Sequence, residues 1–188
     1  MVLPAVRHMD DTAQQLAIAA DGDEPPSTTL RFDPLDATRS LDAASLRWIR
    51  AGVESIGEHL RLTGELRVRF VGDAEMSGAH AHHMNDPSTT DVITFDLAAG
   101  ASAETHALDL DLLVCVDEAR RHAPRETDRE LLLYVLHGVL HALGEDDLTD
   151  DASRRMHARE DEVLRAIGVG AVFAPASLAP DAEPHDAR

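Results

Sequence analysis

The chain has 188 residues, enough for one domain with a real core. It sets 17 arginines and no lysine against 35 acidic residues, and the net charge of −18 counts against non-specific attraction to nucleic acid, which would have to be met through a local arginine patch or a basic partner. A single cysteine, Cys115, excludes a disulfide framework within the chain and suits a reducing, cytoplasmic compartment. Residues 1–27 are acidic and alanine-rich and close on Pro25-Pro26, so they are expected to form a disordered or loosely attached arm. Their one apolar stretch, 15–20, is too short for a signal peptide or a membrane span, and no membrane contact is expected. The proline- and acid-containing stretch 171–188 is expected to be a disordered tail. Residues 28–170 are left as a single domain.

Within that domain, alternation predicts strands over 28–32 and 66–71, the second carried by Leu66, Val68 and Phe70. Between them Leu46, Ile49, Val53, Ile56 and Leu60 recur at helical spacing, which predicts a helix over 41–61 with Ser40 as its cap. A short helix is expected over 73–83, then a turn marked by Asn85, Asp86 and Pro87. Strands follow over 91–97 and 108–116, joined by a loop over 98–107, and a helical stretch over 117–123 stops at Pro124. Arg120, Arg121, Arg125 and Arg129 form either a local basic patch or a solvated helix face. The order of elements argues for a small mixed β-sheet packed with helices, in the α/β or α+β range.

The most informative stretch is 127–151. Thr127 and Glu130 read as a capping box, and Leu131, Leu132, Val135, Leu136, Val139, Leu140 and Leu143 make the helix apolar on most sides. His137 and His141 lie one turn apart on one face, where two imidazoles can grip one metal ion. Gly144 suits the left-handed conformation that ends a helix, so the chain can fold back with a third ligand. Asp147 is best placed; Asp146 and Glu145 compete, and His157 on a last helix, capped by Thr149 and ended by Gly168, is the next candidate. Gly138 stands where the H-E-x-x-H of zinc proteases has its glutamate.

The run from His137 to Asp147 resembles the H-G-x-L-H-L-x-G-Y-D-H signature of the YbeY family, bacterial metal-dependent endoribonucleases of ribosomal RNA maturation. It matches at His137, Gly138, Leu140, His141, Gly144 and Asp146, and departs at Ala142, Glu145 and Asp147, the last being a histidine in the family. Residues 90–95 resemble the family's P-T-D-V-L-S-F strand, with Thr89 in place of its proline, and 108–114 loosely resemble its G-D-I-x-I strand. The family's upstream arginine falls on Met84 when counted without gaps, beside His82 and His83.

The resemblance covers about 28–168 and implies a fold related to the zincins. It also implies one zinc ion per chain, held by His137, His141 and Asp147, with Asp146 as the candidate catalytic carboxylate. The implied function is hydrolysis of single-stranded RNA in rRNA maturation and ribosome quality control, with rRNA and ribosomal proteins as partners. The alternatives are a non-catalytic ribosome-assembly factor with a structural metal and, third, a metalloprotease. Oligomeric state is not legible.

Overall fold

The computed structural model describes residues 2–4, 29–98 and 100–173. Most of the expected N-terminal arm, and the expected tail beyond residue 173, lie outside the described residues. The described elements run β1 (Val2–Pro4), β2 (Leu30–Asp36), α1 (Ala43–Leu60), β3 (Thr63–Val71), α2 (Asp73–Met84), β4 (Val92–Asp96) and α3 (Ser102–Thr105). Then come β5 (Ala107–Cys115), α4 (Val116–His122), α5 (Thr127–Ala142) and α6 (Asp150–Ala166). The expected mixed α/β architecture is observed. Three residues assigned to the arm, Val2–Pro4, pair as an edge strand, and α3 is a single helical turn inside the loop expected over 98–107.

The sheet order is β1-β4-β5-β3-β2. All neighbours are parallel except β4 and β5, which pair antiparallel with Thr94 opposite Leu112. Alternation divides the two faces. Leu66, Val68, Phe70, Leu108, Leu110, Leu112 and Val114 point into the main core, under α1, α5 and α6. The opposite face buries a smaller cluster of Val71, Met76, Ile93 and Cys115 beneath α2. Further along that face the strands carry charge: Arg67 bonds Glu65, Asp109 and Asp111 across β3 and β5.

Two expected caps are displaced. Helix α1 is capped by Asp42, whose Oδ1 accepts from the backbone N–H groups of Ala44 and Ser45, each at 2.8 Å. Ser40 instead pairs its hydroxyl with that of Thr38 at 2.6 Å, in a loop organised by Asp36. The box at Thr127 does not form either, because the Thr127 hydroxyl donates back to the Ala123 carbonyl at 3.1 Å and Glu126 takes the cap position. The caps at Thr149 and at the helix-ending Gly168 are found as the sequence predicts.

Helix α5 lies directly on the sheet. A Cβ at Gly138 would come within 2.8 Å of a Leu112 methyl and 2.9 Å of the Thr94 hydroxyl. Glycine therefore lets the helix sit close enough for its histidine face to reach the edge of β4.

Candidate metal centre

The local sequence builds the site at the end of α5. Eleven of its sixteen residues are buried, His141 among them, so packing holds His141, while the partly exposed His137 is held by its bond to Glu160. The helix stops in a Schellman arrangement: Gly144, at φ +92°, donates to the His141 carbonyl and Glu145 donates to the Leu140 carbonyl, each at 3.0 Å. This reversal brings the Glu145 carbonyl to His141 Nδ1 at 3.0 Å. It also swings Asp147 back over the histidine face, with its carboxylate 3.6 Å from His137 Nε2 and 3.7 Å from His141 Nε2. The two Nε2 atoms are 3.0 Å apart.

These separations fit a single ion. Bonds of about 2.0–2.1 Å in tetrahedral directions place ligand atoms about 3.3 Å apart; the two Nε2 atoms stand at 3.0 Å, each imidazole has one Asp147 oxygen at 3.6 or 3.7 Å, and one ligand atom from each residue lies within 4.8 Å of the others. Proton accounting points the same way. The Glu145 carbonyl can only accept, so His141 Nδ1 carries hydrogen. The Glu160 carboxylate accepts from His137 Nδ1 at 2.7 Å, so that nitrogen is also a donor. When both rings are neutral, their Nε2 lone pairs face each other at 3.0 Å, an arrangement that a shared metal cation satisfies, as does a proton on one of the two nitrogens. Among the described residues, His137, His141 and Asp147 are the one cluster of three ligating groups of this kind.

Glu160 was not legible as a site residue, although a glutamate stands on the buried stripe of α6 between Met156 and Val163. Only 1% exposed, it orients His137 through its Oε1, while its Oε2 has no hydrogen-bond partner. Burial opposes charge on His137, but the Glu160 carboxylate outweighs it and holds the imidazole pKa above the ordinary value. Burial, with the neighbouring His137, pushes His141 the other way.

The ligand set opens into a cleft of about 360 Å³ whose lining includes Asp91, Thr94, Tyr134, His157 and Phe173. Among the described residues no arginine lines it, whereas four carboxylates do: Asp91, Glu130, Asp147 and Glu160. Asp146, the expected catalytic carboxylate, is exposed, lies outside the cleft lining, and closes its own turn by accepting from the Leu148 N–H at 3.0 Å. His157 stacks on Phe173 and is not in the ligand cluster. Cys115 is buried in the smaller core with its thiol pKa pushed up by burial, and Met84 packs against that core. The basic patch is largely spent. Arg121 grips Asp73 with two nitrogens at 2.8 Å, Arg120 reaches Asp117 and Ser40, and Arg129 is held by Glu126 and the backbone of 170–171.

The family model described as Endoribonuclease YbeY matches residues 35–168. Among curated relatives, the Endoribonuclease YbeY of Macrococcus caseolyticus is 33% identical over 154 residues, covering 74% of this chain and 97% of its own. That of Acidothermus cellulolyticus is 36% identical over 145 residues, covering 70% and 84%. A solution structure from Thermotoga maritima aligns with a TM-score of 0.48 at 20% identity, covering 84% of this chain and all of its own. No described helix is long and apolar enough to cross a membrane.

Proposed function

The chain belongs to the YbeY endoribonuclease family, and on that footing we propose that it is a zinc-dependent, single-strand-specific endoribonuclease of rRNA maturation, acting in the cytoplasm. The single observation that carries the metal assignment is the convergence of both Nε2 atoms and the Asp147 carboxylate, with both Nδ1 atoms already engaged. His137, His141 and Asp147 hold the ion, one per chain. When bound, zinc polarises a phosphoryl oxygen and lowers the pKa of its water towards about 7. Glu160 and the Glu145 carbonyl keep the imidazoles in the tautomer that ligation needs.

An open cleft over three protein ligands supports a catalytic site over a structural one, since structural zinc is enclosed by four. Gly138 argues against proteolysis by the H-E-x-x-H route, because the contacts that crowd out a methyl there also exclude a glutamate base.

The test combines metal content with cleavage. Protein prepared without chelator should hold about one zinc per chain, and His137→Ala with His141→Ala should hold none. Asp147→Ala should bind weakly, and Asp147→His should recover binding by supplying a third imidazole. Zinc-loaded protein should cut single-stranded RNA and leave both the matching duplex and casein intact. Equal metal in parent and double variant would overturn the site, and a metal-loaded parent inert on RNA would overturn the activity.

A further inference from the structure

The chain just past the span matched by the family model turns back over the cleft and is fastened at several points. Arg129, from the first turn of α5, donates to the Gly170 carbonyl at 3.2 Å and also to that of Ala171. Asp161, on α6, accepts from the Val172 N–H at 2.6 Å and the Phe173 N–H at 3.0 Å. So held, the Phe173 ring lies flat on the His157 imidazole, with centroids 3.8 Å apart and planes 10° from parallel. Phe173 remains 43% exposed, and both rings line the cleft that contains His137, His141 and Asp147. His157 stands one helical turn before Glu160, the residue that orients His137, so the backing of the platform and the carboxylate behind the ligand set share one face of α6.

We propose that Phe173, backed by His157, is a stacking platform for one unpaired base of the RNA substrate, seated beside the metal centre. The inference rests on the endoribonuclease reading above and adds the group that recognises the nucleotide. Every base has a π-face, so such a platform is tolerant of sequence, and it works without charge. Apart from the metal itself, the cleft gives an RNA backbone little cationic grip, since four carboxylates line it and, among the described residues, no arginine does. Bases in a duplex are already stacked on their neighbours, so only an unpaired base can turn onto Phe173. The platform therefore supplies a physical origin for single-strand specificity. The chain has few aromatic side chains, 3% of its residues, and this one is pinned in place rather than left on a free strand.

The experiment uses the zinc-loaded full chain and a short single-stranded RNA, with one abasic nucleotide scanned along it. Phe173→Leu keeps apolar bulk without the π-face and should raise KM about 5- to 150-fold, the range that stacking of one base supplies, with kcat little changed. Phe173→Trp should stay within about twofold of the parent. At one position the abasic RNA should cost the parent a similar factor, and should cost Phe173→Leu nothing further. The platform is overturned if Phe173→Leu has the parent's KM, or if the two losses multiply at every position. A parent that neither binds nor cuts RNA overturns the endoribonuclease reading, and the platform with it.

Discussion

Glu160 sets the chemistry of the histidine pair. Its carboxylate decides which nitrogen of His137 carries the proton, and so which one is left with a lone pair for a metal ion. A glutamine at this position keeps the shape and loses the charge. Its amide oxygen can still accept from Nδ1, but it no longer stabilises positive charge accumulating on the ring and the ion. Partners of this kind typically contribute 10- to 100-fold in metal affinity, so Glu160→Gln should weaken zinc binding by about that factor. Competition with a chromophoric chelator measures it. Unchanged affinity would reduce Glu160 to a space-filling role. The residue was hidden in the sequence because its partner lies 23 positions away, and only the packing of α6 on α5 joins them. Asp147 was legible because a helix end and a left-handed glycine fix where the next three residues go.

Helix α5 carries the site to the sheet, and Gly138 sets how closely it lies. A methyl at this position would meet Leu112 and Thr94 at under 3.0 Å, and Thr94 is itself buried. Gly138→Ala gains helix propensity but forces the helix outward or the leucine off its rotamer, a cost of about 1–3 kcal/mol for overpacking. Denaturant unfolding of the metal-free protein should show that loss, and zinc binding should weaken as His137 moves with the helix. A variant as stable as the parent would mean that Leu112 yields freely. The other elements show where periodicity succeeds and where it stops. The apolar repeats of α1 and α5 and the alternation of β3 and β5 located them to within a few residues, because burial imposes those periods. The caps at Ser40 and Thr127 were misplaced because several neighbouring hydroxyls and carboxylates compete for the same N–H groups, and tertiary contacts choose among them. Strand order, with β4 antiparallel beside β5, has no local signature at all.

For the whole molecule, the charge of −18 and the acidic cleft constrain how RNA is met. A protein that neutralises phosphates with arginine or lysine releases counterions, and its affinity for single strands falls with a log–log salt slope of about −0.7 per contact. Here Arg120, Arg121 and Arg129 are occupied by partners within the protein, and among the described residues no arginine lines the cleft. Added salt mainly screens repulsion between the RNA backbone and the protein's own carboxylates. Binding of a single-stranded oligonucleotide to zinc-loaded protein should therefore be flat, or should strengthen, between about 50 and 300 mM monovalent salt. A titration at constant zinc, followed by fluorescence anisotropy, reads the slope directly. A steep loss of affinity over that range would mean that arginines outside the cleft carry the RNA backbone. The acidic cleft would then have to be reached by RNA already anchored elsewhere on the surface.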